Sequence, residues 1–221
     1  MSRLPAPPPE NVAAKKWVPV LIIGILGIIL IVGIYYLNPA FQPVELLLML
    51  LAVTVCALGY TRGIVRGVLT IISLYIATGI SALLYRGAAP FVNAVLQVLS
   101  FNLEASVDDP AGRGAQAFTF MLLAMAFWGL LELLRRAFFQ ATDLPEVGIL
   151  DNLGGALVHL GVGMLIATLL FNAYGYGRSR PVHDKALLRL QFNQVLTVLT
   201  SAQSFWFSDP PPIYSYDLDA R

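Results

Sequence analysis

Twenty residues from Val18 to Leu37 pass without one charged side chain, and no other feature narrows so far what this chain can fold into. At 1.5 Å per residue, a helix of that length crosses a hydrocarbon core of about 30 Å. In lipid, only helices and closed barrels satisfy all of their own backbone polar groups. The run therefore predicts a transmembrane helix, with Lys15 and Lys16 just ahead of it as surface anchors. A cleavable signal peptide opens in the same way, but this run is too long for one. Tyr35, Tyr36, Asn38 and Pro39 also make a poor small-residue cleavage site.

Four further apolar runs follow: Val44 to Tyr60, Val68 to Tyr85, Gln116 to Leu134, and Asp151 to about Tyr174. Charged residues make up 12% of the chain, against roughly 25% in an average soluble domain. The expectation is an all-α, polytopic membrane protein of five transmembrane helices. A net charge of +1 with no clustered basic face argues against a nucleic-acid partner. The lone Cys56 falls inside an apolar run and reads as a small buried hydrophobe. With only His159 and His183 beside it, no metal-ligand spacing arises, and neither a phosphate-binding glycine loop nor a Ser/His/Asp set is present. The sequence thus predicts no enzyme, no cofactor and no metal.

Between the second and third runs lies Gly59-Tyr-Thr-Arg62-Gly63-Ile-Val-Arg66-Gly67. On a continuous helix, Gly59, Gly63 and Gly67 would form one smooth stripe beside Arg62 and Arg66. In a turn, the glycines supply positive φ and the arginines lie at the membrane surface. A continuous helix would merge two spans into a run far longer than a bilayer needs, which favours the turn.

Elsewhere, charges gather at span ends. Glu45 opens the second span, where a helix dipole favours an anion, and reads as an interfacial carboxylate. Pro90 to Phe101 reads as a short interfacial or re-entrant helix inside a long connection, residues 86 to 115, and Asp108 and Asp109 as turn residues. Glu132 stands three and four residues before Arg135 and Arg136, the spacing of an ion pair on one helix face. Asp151 is read as the cap of the last span, on which Gly155, His159 and Gly163 share a face. A buried neutral imidazole is the expectation for His159, a proton relay the alternative. Arg62 or Arg66 is expected to pair with Asp151 across the inner face, on the side of Arg135 and Arg136. From Arg178 to Leu199 the pattern is amphipathic and too polar to span, which predicts a helix lying on the membrane. Phe205, Trp206 and Phe207 read as interfacial anchors. The stretch from Asp209 to Tyr216 is expected to be extended, either mobile or docked on a partner.

With the N-terminus inside, the inner segments carry Arg3, Lys15, Lys16, Arg62, Arg66, Arg135 and Arg136, while the outer loops between spans carry only Arg86 and Arg113. An inside N-terminus is therefore expected, although the basic residues after Arg178 then fall outside.

This order of features resembles the bacterial CvpA family, named for colicin V production. The resemblance rests on Gly59-Tyr-Thr-Arg62-Gly63-Ile-Val-Arg66 as the turn after a span, on a Ser-bearing span following it, and on Asp151 and Gly155 with Gly163 opening the last span. His159 stands where the family often has glycine, and Val162 lies near a family arginine. The resemblance covers roughly residues 42 to 205. It implies a four-span core over residues 42–175, with residues 15–37 as an added N-terminal span. A Pro-rich extension, residues 1–14, precedes these, and an amphipathic helix and Pro/Tyr tail, residues 176–221, follow. It also implies a bacterial inner membrane and a link to toxin export and envelope homeostasis.

Three functions are then expected in order. The first is a non-enzymatic scaffold or accessory factor. The second is a subunit of a larger, energy-converting membrane complex, held by unrelated protein partners. The third is a small transporter lined by Arg62, Arg66, Glu132, Asp151 and His159. Apart from lipid, the expected partners in general are other proteins within the membrane or further copies of the chain.

Overall fold

The computed structural model describes residues 12–98, 112–139, 148–176, 185–206 and 210–213. Among them there are five helices and no strand: α1 (Val12–Leu37), α2 (Pro43–Val98), α3 (Arg113–Phe139), α4 (Ile149–Gly175) and α5 (Arg189–Ala202). The first four are long and apolar enough to cross a membrane, so this is a multi-pass membrane protein. The predicted turn at Asp108 and Asp109 lies outside the described residues, as do Phe207 and the tail beyond Ile213.

Helix α2 has an apolar stretch of 53 residues, which as a straight rod would be about 80 Å long. It is not straight. Gly63 takes φ 75° and ψ 171°, a conformation open essentially to glycine alone, and divides α2 into arms of residues 43–62 and 64–98. The first arm runs antiparallel to α4, with Gly59 against Gly155 and Ala52 against Gly163. The second runs parallel to it, with Ile64 against Gly154 and Gly67 against His159. Outside the arms, α1 packs Gly24 and Gly27 on Ala57 and Val53 of the first. Helix α3 lies antiparallel to the second, with the Phe120 ring edge-on to Tyr85 at 6.2 Å and Arg135 beside Arg66.

Helix α4 is thus the central element. Half of its apolar window is buried inside the protein, against 11% of that of α1. A core of Leu74, Tyr85, Phe120, Val162, Ile166 and Leu169 joins α2, α3 and α4, and Leu196 and Leu199 of α5 complete it.

Two expectations are corrected here. The second arm continues through Pro90 to Val98 instead of ending near Tyr85, so there is no separate helix beginning at Pro90. Pro90 is exposed, toward the end of the arm, where a missing N–H costs less than it would in the packed part of the helix. The last described segments are also docked on the bundle. Gln203, only 1% exposed, donates to the Tyr75 carbonyl and to Thr78 Oγ1, both at 2.7 Å. Tyr75 and Tyr85 donate their hydroxyls to the carbonyls of Ala202 and Pro210, and Asn172 donates to that of Pro212. Trp206 lies over Gly79. Non-helical backbone at this depth is tolerated because core side chains satisfy its carbonyls.

Candidate functional site

The reversal of α2 meets the first two turns of α4 in a junction built from glycines. A Cβ at Gly155 would lie 2.6 Å from the Gly59 carbonyl oxygen and 2.7 Å from Gly63 Cα. One at Gly59 would lie 2.7 Å from the Gly155 carbonyl oxygen and would collide with the His159 side chain. Four residues on, a Cβ at Gly163 would lie 2.7 Å from Ala52 Cα. Helix backbones approach this closely in lipid only where side chains are absent, and dispersion and backbone contacts supply the attraction.

Asp151 enters the junction in the first turn of α4, whose cap position is Gly148. Its Oδ1 accepts the backbone N–H of Ile64 at 2.9 Å, and its carboxylate lies where a Gly63 side chain would have to go. The carboxylate thereby satisfies the first free amide of the second arm, a group that the break at Gly63 leaves without an intrahelical partner. This replaces two expectations: Asp151 does not cap its own helix, and it does not pair with Arg62 or Arg66. The ion pairs beside the junction join Glu132 to Arg135 (2.6 Å) and Arg136 (3.5 Å). An orphan amide competes well for the carboxylate, since its fixed geometry requires no long side chain to be ordered.

His159 is fully buried between the two arms. Its Nδ1 lies 2.8 Å from the Gly155 carbonyl, which can only accept, so Nδ1 carries a proton. Nε2 has no hydrogen-bond partner among the described residues. A Cβ at Gly67 would stand 3.0 Å from Nδ1, so the glycine makes room for the ring.

Arg135 ties α3 to the same turn of α2, donating to the Arg66 carbonyl at 3.0 Å and to Thr70 Oγ1 at 3.2 Å while paired with Glu132. Arg62 is half-buried at the end of the first arm, and Arg66 is exposed. The structure thus brings Gly59, Gly63, Gly67, Asp151, Gly155 and His159 into one junction, with Gly163 two turns along α4 and Arg135 and Arg136 on its flank.

At the other end of the first arm, Glu45 is fully buried within the protein. It accepts the Gln42 N–H at 2.7 Å, closing the start of its own helix, and the Leu188 N–H ahead of α5. Asp151 and Glu45 therefore staple the bundle in the same way at opposite ends. Sequence reasoning missed the role of Glu45 and the docking set Tyr75, Tyr85, Asn172 and Gln203. The one available signal was a glutamine placed within an aromatic, apolar stretch.

Among the described residues, no group of three or more His, Cys, Asp or Glu side chains is disposed to hold a metal. Residues 44–187, about two-thirds of the chain, match the family model described as Colicin V production protein. No curated protein and no solved structure matches.

Proposed function

We propose that this chain, which belongs to the colicin V production protein family, is a non-enzymatic scaffold or accessory factor of a bacterial inner membrane, linked to toxin export and envelope homeostasis. One observation carries this reading: two polar side chains of the junction tie helices together. Asp151 of α4 holds the Ile64 amide of α2, and Arg135 of α3, oriented by Glu132 on its own helix, holds the Arg66 carbonyl and Thr70 of α2. Such groups build a rigid frame and leave little to line a path. The frame consists of five crossings, since each arm of α2 follows α4 from end to end, with α1 added to a four-span core. The arginine-rich end is cytoplasmic, which places the N-terminus inside. Helix α5 has its Phe192, Leu196 and Leu199 face on the bundle and Leu190 and Val198 turned outward, as an amphipathic helix at the opposite surface would. Reconstituted liposomes test the reading: ion flux no higher than that of empty vesicles is expected. Flux that Arg62→Ala or His159→Ala abolishes would overturn the scaffold in favour of a transporter.

A second reading, an accessory subunit of a larger energy-converting complex, is favoured by α1. It precedes the matched core and leaves Leu21, Ile25, Leu26, Ile29 and Leu30 more than half exposed. Native mass measurement after mild-detergent purification separates the two. Unrelated subunits in fixed stoichiometry support the subunit, whereas a monomer or homo-oligomer sinks it.

A further inference from the structure

We propose that the end of the bundle formed by Arg62, Arg66 and Arg136 is a binding site for the phosphate of an anionic phospholipid. The α2 reversal contributes Arg62 and Arg66, and the end of α3 contributes Arg135 and Arg136. The Arg135 bond to the Arg66 carbonyl draws the two pairs together. At this end of the bundle, Glu132 gives one oxygen to Arg135 and Arg136 while its other oxygen is buried without a hydrogen-bond partner among the described residues, and Asp151 accepts the Ile64 amide. Among the described residues, Arg62 and Arg66 have no carboxylate within 4 Å. The charged groups acting on Arg62 are Glu132, Arg136, Arg135 and Arg66, three of them positive. Half-burying a guanidinium in such surroundings is unfavourable unless a counter-anion joins it. A phosphate, with oxygens spaced to match the guanidinium fork, satisfies that need.

The surroundings select the kind of phosphate. Beside the arginines, Val65 (46%), Leu134 (42%), Phe138 (78%) and Leu150 (81%) are exposed. Arginine heads interleaved with outward apolar side chains fit an amphiphile whose headgroup meets the guanidinium groups while its acyl chains lie along the apolar surface. A free anion would use the arginines alone. The site is independent of whether the chain serves as scaffold or subunit.

The test uses the full chain in a neutral detergent, titrated with phosphatidylglycerol, with phosphatidylcholine and with inorganic phosphate. Thermal unfolding and native mass are the readouts. Phosphatidylglycerol is expected to raise the unfolding temperature and to appear as a retained adduct, and the other two are not. Each arginine changed to glutamine should weaken phosphatidylglycerol binding about fivefold, and Arg62→Gln/Arg66→Gln/Arg136→Gln together about a hundredfold. Lys185→Gln, at the far end, should leave it unchanged. If the triple variant does not fold, Arg136→Gln alone decides, since that side chain is 61% exposed. Equal stabilisation by both lipids, unweakened binding by the arginine variants, or inorganic phosphate reproducing the shift would each overturn the proposal.

Discussion

The Asp151 carboxylate accepts the backbone N–H of Ile64 across 2.9 Å, joining the first turn of one membrane helix to the first residue after the break in another. That bond links the reversal of α2 to the start of α4. It lies at an exposed place, where losing it costs about 0.5–1.5 kcal/mol, the net contribution of a typical hydrogen bond. Asp151→Ala should therefore lower the unfolding temperature in detergent, while Asp151→Asn, which keeps an acceptor oxygen, retains most of it. Equal stability of the alanine variant and the parent would show that the bond contributes nothing.

The glycines of the junction are expected to be intolerant in a graded way. Gly155→Ala places a methyl 2.6 Å from the Gly59 carbonyl oxygen, and Gly63→Ala combines a collision with Asp151 and a backbone conformation costing about 1–3 kcal/mol outside glycine. Gly33→Ala, with nothing within 4 Å, is the control and should be silent. Folded yield by size-exclusion chromatography reads all three. Matching losses at Gly33 and Gly155 would contradict the close approach.

Gly67 and His159 should be coupled. Gly67→Ala crowds the imidazole, and truncating that ring in His159→Ala relieves the contacts at Nδ1 and Cε1. The double variant should be more stable than the sum of the two single losses predicts, by about 0.5–3 kcal/mol. Strict additivity would mean that the ring does not pack against Gly67.

Docking of the C-terminal segment predicts a local effect. Gln203→Leu removes two donors and leaves the Tyr75 carbonyl and Thr78 Oγ1 without them, and Tyr75→Phe removes the bond to the Ala202 carbonyl. Both variants should cut faster after residue 202 in limited proteolysis, by several-fold, with the bundle unfolding at little changed temperature. Cleavage at the parent rate in both would place the segment's stability elsewhere.

What could be read from the sequence follows from the kind of physics involved. Hydrophobic length is local, so the spans and the interruption at Gly59–Gly67 were visible in composition alone. Glycines and charges marked where helices meet but not what meets them. Asp151 looked like a partner for Arg62 or Arg66 because sequence displays charges, whereas its acceptor role depends on an amide freed by a break in a helix 87 residues away. Pro90 was misread because proline's preference against helix interiors is weaker near an exposed helix end than within a packed span. The docking of Gln203 and of residues 210–213 was not legible because the partners, Tyr75, Tyr85 and Asn172, sit in apolar runs with no pattern to distinguish them from ordinary packing residues.

The account rests above all on the reversal of α2 at Gly63, and side-specific thiol labelling tests it most directly. With Cys56 changed to Ala, single cysteines are placed at Gln42, Val65 and Phe91 and exposed to a membrane-impermeant reagent in sealed vesicles of known orientation. The account predicts labelling of 42 and 91 from one side and of 65 from the other. Labelling of 42 and 91 from opposite sides would contradict it.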